Sequence, residues 1–350
     1  MKKKLVLIAK LALSLSILVY VVIHAKSENP GLFADFVARE KNWPALLLAW
    51  ALCMLAVFIT LLRWYYLVRA IGLPFRLSDA LRLGFLGYMF NLVSLGSVGG
   101  DLFKAVFIAK EHPQHKAAAI STLIVDRMVG LLALLMVGAI AVSVVDLPTD
   151  DPEIRLMRNA SLIGAVVCAA VMGIMLLPGF SSGPLAEFFS GLPRVGSTFA
   201  QLFGAVRMYR RRLDVLIGTT VMSFGNHCLY VAGIYFLAIG LASGQTASLA
   251  EHFVIVPLGW IAGALPLPLG ALGVFEGAVN YLYVQVADVA DGEGLLVAFG
   301  YRIITVVIAA VGMVFYLRSR SEVAQAWQDA EREREAIETP TVEPERPACS

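Results

Sequence analysis

Two acid and arginine pairs with the same spacing lie in stretches of this sequence that are otherwise apolar. Asp101 precedes Arg127 by 26 residues (127 − 101), and Glu276 precedes Arg302 by 26 residues (302 − 276). A charged side chain costs roughly 2.5–3.5 kcal/mol at the centre of a membrane helix, and such residues usually serve a function. Arginine stays protonated and offers bidentate N–H donors to phosphate oxygens. The pattern predicts that the two arginines bind a phosphate and that the two acids orient them.

A glycine-rich segment precedes each acid. The segments are LGSVG at residues 95–99 and LGALG at residues 269–273. Glycines let backbone N–H groups converge where a half-helix starts, and the helix dipole favours an anion there. Gly99, Gly100 and Gly273 are therefore further candidates for contact with a bound phosphate, and Asn91, near the first break, is a candidate gate or cavity contact in the same substrate site. The alternative is that the glycines only permit tight turns and close helix packing, while the ion pairs lock helices together without a ligand.

The composition indicates an integral membrane protein. Hydrophobic residues make up 59% of the chain and charged residues 15%, whereas soluble domains have about 25% charged residues. Apolar runs of about 20 residues are typical of transmembrane helices, and the short alternating segments of a membrane barrel are absent. We therefore predict an all-α polytopic protein with spans at 5–23, 44–68, 117–145, 160–178, 213–240 and 294–317.

The basic residues orient these spans. Lys2, Lys3 and Lys4 place the N-terminus in the cytoplasm, and most other lysines and arginines then fall on the same side. The apolar stretches 83–109 and 253–287 are broken by glycines or prolines, and a simple crossing at 83–109 would reverse the orientation of every later span. We expect both to be re-entrant hairpins. The prediction is a multi-pass protein of the inner, cytoplasmic membrane with both termini in the cytoplasm.

The chain divides into two units of similar size. Residues 1–146 and residues 158–317 each contain three predicted spans and one broken hairpin, and residues 318–350 form a charged cytoplasmic tail, partly disordered. Because each unit crosses the membrane an odd number of times, the second is inserted upside down relative to the first. Such inverted repeats are common in transporters, where the binding site lies between the halves near the midplane.

Other polar residues have more ordinary interpretations. Arg63 is followed by Trp64, Tyr65 and Tyr66, which is typical of an anchor at the membrane interface rather than of a site. His227 lies in the middle of a span, where a packing hydrogen bond is the expected role and a proton relay the alternative. The loop 179–214 fits either an amphipathic helix on the inner leaflet or a connector packed on the bundle.

Several classes of chemistry lack a sequence signal. The chain has no nucleotide-binding P-loop, Rossmann glycine signature or serine nucleophile elbow. His112 and His115 have no cysteine or carboxylate arrangement that would complete a zinc site. We therefore predict no catalytic residue, metal, cofactor or nucleic-acid partner, and an ATP-driven motor is not expected.

The motifs resemble those of a known family. Residues 91–101 (NLVSLGSVGGD), 125–127 (VDR) and 265–277 resemble the lysylphosphatidylglycerol synthase transmembrane region family, a flippase-like membrane domain, over nearly all of residues 1–320. The resemblance implies movement of a lipid across the bilayer. In some relatives this domain is fused to an aminoacyltransferase domain, which this sequence lacks, so lysyl transfer is not expected. The sequence departs from the family pattern at four positions. Relatives often have proline where this chain has Leu95 and Leu269, and arginine where it has Lys104 and Phe275.

The leading prediction is a lipid translocase of the cytoplasmic membrane. Its substrate would be an anionic phospholipid or a polyprenyl-phosphate-linked lipid, whose headgroup passes between the halves while the tails stay in the bilayer. One alternative is an intramembrane enzyme acting on a lipid phosphate, with Asp101 or Glu276 as the base. Another is a scaffold whose partner is a separate lipid-modifying glycosyltransferase or aminoacyltransferase.

Overall fold

The computed structural model describes most of the chain as helices. The described ranges are 31–93, 99–147, 151–177, 183–192, 196–241, 245–263 and 273–318, preceded by residues 16, 19, 20, 22–24, 26 and 27. These residues contain no strand. The predicted all-α fold is confirmed.

The helices follow one another with short connections. In chain order they are α1 (Leu32–Ala38), α2 (Trp43–Ala70), α3 (Leu77–Val93), α4 (Gly99–Glu111), α5 (Lys116–Val144), α6 (Pro152–Leu176), α7 (Pro184–Ser190), α8 (Gly196–Tyr209), α9 (Leu213–Leu241), α10 (Leu249–Gly263), α11 (Val274–Ala287) and α12 (Glu293–Arg318). A 3₁₀ turn at Pro113–His115 joins α4 to α5.

Five of the described helices are long and apolar enough to cross a membrane. They are α2, α5 with the preceding 3₁₀ turn, α6, α9 and α12. These helices confirm five of the predicted spans and the polytopic, multi-pass character of the chain. The predicted span at 5–23 lies mostly outside the described residues.

The starts of α2 and α6 are capped by side chains. Asn42 Oδ1 accepts from the Ala45 N–H at 3.2 Å. Asp151 Oδ1 accepts from the N–H groups of Glu153 and Ile154 at 2.8 and 3.3 Å. A cap satisfies N–H groups that have no partner in the first turn, and the proline in each first turn has no N–H to satisfy. The caps Asn42 and Asp151 thus fix the helix starts at Trp43 and Pro152.

The two predicted hairpins are pairs of short helices. Helices α3 and α4 have 17 and 13 residues, and α10 and α11 have 15 and 14. A crossing needs about 20 residues, so each of these helices is shorter than the hydrocarbon layer. The members of each pair pack against each other. The breaks themselves, 94–98 and 264–272, lie outside the described residues, and with them most of both LGxxG motifs.

The packing pattern of the first half recurs in the second. If α2, α3, α4 and α5 are matched with α9, α10, α11 and α12, each contact within one half has a counterpart in the other. Contacts between halves match as well, since α3 packs on α12 as α10 packs on α5, and α2 packs on α9. The packing therefore treats the halves as equivalent, while their opposite insertion in the membrane and the division at 146 and 158 stay predictions.

The segment between α6 and α9 packs on the bundle. Phe203 of α8 is buried against Ala186, with Met128 and Leu176 beside them. The Tyr209 hydroxyl donates to the Leu67 carbonyl of α2 at 2.7 Å. These contacts fit the packed connector, and the amphipathic helix on the inner leaflet stays a prediction.

Helices α12 and α3 meet at a glycine. A Cβ built on Gly312 would lie 2.2 Å from the Phe85 carbonyl oxygen and 3.0 Å from Met89 Cβ. Only glycine allows this approach, because real Cβ atoms essentially never come within 3.0 Å of another heavy atom. This contact joins the second half to the first hairpin.

We predict that Gly312→Ala destabilises the protein by about 1–3 kcal/mol, the usual cost of inserting a methyl group into a packed core. Gly218 of α9 is the matched control, because a Cβ there meets nothing within 4 Å. Gly218→Ala should leave stability unchanged or raise it slightly through helix propensity. Unfolding in mild detergent measures both, and equal stability of the two variants would contradict the packing of α3 on α12.

Candidate functional site

Asp101 and Arg127 form an ion pair between neighbouring helices of the first half. Asp101 lies in the first turn of α4, and Arg127 lies near the middle of α5. Arg127 Nε donates to Asp101 Oδ2 at 2.5 Å. The arginine therefore pairs with the acid of its own half, although the equal spacing by itself also allows pairing with the acid of the other half.

Lys104 adds a second cation to this pair. Its Nζ lies 3.7 Å from Asp101 Oδ1 and 5.4 Å from the centre of the Trp64 ring. The Lys104 stem packs on Gly87 of α3, where a Cβ would come within 2.8 Å of Lys104 Cε. The side chain is buried. Sequence reasoning noted this lysine only as a departure from the family pattern, although its spacing of three residues from Asp101 places both on one helix face.

The ion pair lies at the edge of an apolar groove between α4 and α5. The groove has a volume of about 440 Å³ and is lined by Asp101, Leu102, Ala105, Ile120, Leu123, Ile124, Arg127, Met128 and Leu131. The Arg127 side chain is 56% exposed. Leu102 and Leu131 are exposed too, so the groove opens on the outer surface of the bundle. The exposed Arg127 guanidinium therefore lies beside a groove of apolar side chains.

The second ion pair is built differently. Glu276 is fully buried in the first turn of α11 and accepts from Arg302 Nε at 2.7 Å. Its other oxygen, Oε2, accepts from the Gly273 N–H at 2.7 Å. Gly273 has a φ of +92°, a conformation that favours glycine. Glu276 therefore fixes the turn into α11 and binds this helix to α12.

Two of the candidate phosphate donors already have partners. The Gly100 N–H donates to Asn91 Oδ1 at 2.7 Å, so Asn91 joins the end of α3 to the start of α4. The Gly273 N–H is held by Glu276 as described above. A Cβ on Gly100 would lie 2.1 Å from the Gly87 carbonyl oxygen, so this glycine also permits close packing. Gly99 is the first residue of α4. Phosphate binding by these glycines stays a prediction, and it would have to displace the existing bonds at two of them.

A third ion pair lies in the core between α2, α5 and α9. Arg63 Nε donates to Asp126 Oδ1 at 2.8 Å, and Arg63 Nη1 donates to the Ser223 hydroxyl at 2.6 Å. Both charged side chains are buried. The interpretation of Arg63 as an interfacial anchor is therefore wrong. An aromatic run after an arginine is typical of the membrane interface. However, Arg63 and Asp126 both lie within apolar spans, where opposite charges are expected to pair, and this feature of the sequence indicated the correct contact.

His227 makes a packing contact with the same region. Its Nε2 lies 3.1 Å from the Gly130 carbonyl oxygen of α5, and its ring lies 5.8 Å from the Trp260 ring. A carbonyl oxygen only accepts, so the imidazole N–H is the donor. This geometry fits the expected interhelical hydrogen bond. In the described part of the chain, no three histidine, cysteine, aspartate or glutamate side chains lie close enough together to hold a metal ion.

Aromatic side chains connect the first hairpin to the second ion pair. The hydroxyls of Tyr88 and Tyr230 lie 3.2 Å apart, and the Tyr230 ring lies 5.3 Å from Trp260. Trp260 lies 6.2 Å from Tyr301, which lies 5.8 Å from Phe275. These are ordinary distances for aromatic contacts. The contact of Tyr88 with Tyr230 crosses between the halves, and the other contacts lie within the second half. The series ends beside Arg302, whose guanidinium carbon is 5.8 Å from the Phe275 ring.

A family model matches this chain. The family model described as "Lysylphosphatidylglycerol synthase TM region" matches residues 7–312, which is most of the chain. The matched range contains the three ion pairs described above and both helix pairs. No curated protein matches the chain.

We predict that Arg63→Met destabilises the protein by about 3–5 kcal/mol, because Asp126 is then left as an unpaired buried charge. The double variant Arg63→Met with Asp126→Leu should recover most of this loss, since it removes both charges. Unfolding in mild detergent measures the difference, with Arg155→Met on the exposed face of α6 as the control. A double variant as unstable as the single one would contradict a role in packing.

The Asp101–Arg127 and Glu276–Arg302 pairs should respond differently to loss of the arginine. Arg302→Met leaves the fully buried Glu276 without its cation and should cost about 3–5 kcal/mol. Arg127→Met leaves Asp101 partly exposed and still beside Lys104, so it should cost about 1 kcal/mol or less. The same unfolding measurement compares them. Equal losses would contradict the difference between the two sites.

Proposed function

Because this chain belongs to the lysylphosphatidylglycerol synthase TM region family, we propose that it moves an anionic lipid across the membrane, with Arg127 as the first phosphate-binding residue. The family is a membrane domain associated with lipid chemistry, and the groove beside Arg127 supports the more specific activity. The proposed lipid is an anionic phospholipid, and a polyprenyl-phosphate-linked lipid has the same chemical features.

One observation carries the proposal. A 56% exposed arginine borders a groove whose other lining side chains, apart from Asp101, are apolar. Facing hydrocarbon, such a charge costs several kcal/mol unless a partner compensates for it. A lipid satisfies both parts of the groove, since its phosphate pairs with the guanidinium and its acyl chain covers the leucines and isoleucines. A water-soluble anion would leave the apolar part uncovered.

Binding requires Arg127 to exchange partners. Asp101 engages the guanidinium through Nε, and arginine has four further N–H donors arranged for bidentate contact with phosphate. The phosphate can therefore begin to bind at the exposed edge before Asp101 is released. Asp101 keeps Lys104 as a neighbour when the exchange is complete. Neither carboxylate nor phosphate is left without a cation at any stage.

The second pair takes a supporting part in this proposal. Arg302 would reach a headgroup only by leaving Glu276, which is fully buried and would become an unpaired charge. We therefore place the phosphate first at Arg127 and assign to Glu276 and Arg302 the holding of the second hairpin. Contact between Arg302 and the headgroup later in transport would then accompany movement of α11 relative to α12.

The proposed topology is an inverted repeat in the cytoplasmic membrane, with both termini in the cytoplasm and the two helix pairs as re-entrant hairpins. The short lengths of α3, α4, α10 and α11 support it, and so does the equivalent packing of the two halves.

Transport in vesicles tests the proposal. Purified protein is reconstituted with a fluorescent phosphatidylglycerol, and its movement between leaflets is followed by quenching from outside. Arg127→Gln should slow movement roughly 10- to 100-fold, because hydrogen bonds to charged groups are worth about 1.5–3 kcal/mol. Leu131→Trp, which fills the groove without changing charge, should slow it as well.

Arg155→Gln is the control, because it removes the same charge from an exposed position on α6 outside the groove. It should move lipid like the unsubstituted protein. Movement no faster than in protein-free vesicles, or unchanged movement in Arg127→Gln, would overturn the proposal.

A further inference from the structure

The charges around the groove do not cancel. Asp101 carries one negative charge, whereas its neighbours Arg127 and Lys104 carry one positive charge each. The nearby ion pair of Arg63 and Asp126 is neutral by itself and bonded internally. The first-half site therefore has a surplus of one positive charge.

The second half provides an internal comparison. The position that corresponds to Lys104, three residues after the acid, is Val279, which is buried and apolar. Glu276 and Arg302 are thus a neutral pair with no additional cation at this position. The surplus charge is a property of the half that has the exposed arginine and the groove, and it is not required to build an acid–arginine pair between these helices.

Lys104 is placed to serve an exchange of partners. It lies close enough to Asp101 to attract it, but at 3.7 Å it is farther from the carboxylate than Arg127 is. Its stem is packed on Gly87 and its ammonium lies over the Trp64 ring, so it stays in place while the exposed arginine can turn. When Arg127 engages a phosphate, Lys104 remains as the counter-charge of Asp101.

We propose, on the basis of the function proposed above, that Lys104 makes the site selective for a headgroup with a net charge of −1, a monoanionic phosphodiester. Such a headgroup brings the four charges to zero. A zwitterionic headgroup has no net charge to compensate the surplus, and it would bring its own ammonium near the two cations. Unlike charges attract and like charges repel most strongly where the surroundings are apolar, so this difference decides between lipids of similar size.

Lipid competition tests the proposal. The protein is placed in nanodiscs with equal amounts of phosphatidylglycerol, which is monoanionic, and phosphatidylcholine, which is zwitterionic. The lipids that remain with the protein after detergent extraction are counted by mass spectrometry. The unsubstituted protein should retain phosphatidylglycerol about fivefold or more over phosphatidylcholine, and Lys104→Met should bring the ratio close to one.

Two further variants separate charge from packing. Lys104→Arg keeps the charge and should keep the preference, whereas Lys104→Gln is a second neutral variant and should lose it. Lys110→Met is the matched control, since it removes a lysine from the same helix outside the groove. Failure of both neutral variants to fold would assign Lys104 to packing alone and overturn the proposal.

The outcomes distinguish this proposal from the function on which it rests. An unsubstituted protein with no preference, identical to Arg127→Gln, would overturn both. A preference for phosphatidylglycerol that survives in Lys104→Met and Lys104→Gln would overturn the role of Lys104 and leave lipid binding by Arg127 intact. Competition by a polyprenyl-phosphate sugar, which is also a monoanionic phosphodiester, then shows which lipid tail the groove prefers, and displacement by it supports the same charge rule.

Discussion

The constraint on which this structure depends is the cost of leaving a charge unpaired inside a bilayer. Helix α5 shows how the fold avoids this cost, because two adjacent charged residues of the helix find partners on different sides of it. Asp126 faces the core and pairs with Arg63 of α2, which binds α5 to the centre of the bundle. Arg127 faces outward and pairs with Asp101 of α4 beside the groove. The buried pair binds the helix to the core, and the exposed pair is the one at which we propose the exchange with a ligand.

The two halves meet this constraint with different surroundings for their acids. In the second half the carboxylate of Glu276 is buried and bonded twice, so the pair fixes the turn into α11. In the first half the carboxylate of Asp101 lies between two cations, one of which is at the surface. The halves share their pattern of helix packing, but they differ in the burial of the acid and in one extra lysine, and on these differences we propose the first half as the binding site and the second as its support. The contacts of Tyr230 with Tyr88 of α3 and with Trp260 of α10 link one helix pair to the other.

The sequence predicted where the helices lie better than it predicted which of their side chains are buried and which residues they contact. Long apolar runs and glycine breaks located the spans and the short helix pairs, because these depend on local composition. The constant spacing of 26 residues singled out these four charges, but it left open whether each arginine pairs with the acid of its own half or of the other half. The structure pairs each arginine with the acid of its own half, because the helices that carry them are in contact there. Arg63 was misassigned because its partner Asp126 is 63 residues away, and no local pattern reports such a contact. Nor could the sequence show that the Gly100 N–H bonds to Asn91, or that Arg127 is exposed while Glu276 is buried, because burial depends on how the helices pack.

The central claim is that a lipid occupies the groove between α4 and α5 beside Arg127, and photo-crosslinking tests it most directly. A phosphatidylglycerol with a diazirine on one acyl chain is added to the reconstituted protein, irradiated, and located by mass spectrometry of peptides. We expect labels at Leu102, Ile120 and Leu131, and we expect excess unlabelled phosphatidylglycerol to remove them. Labels spread evenly over exposed apolar residues elsewhere, such as Ile163 and Val166 of α6, with no reduction by competitor, would contradict the account.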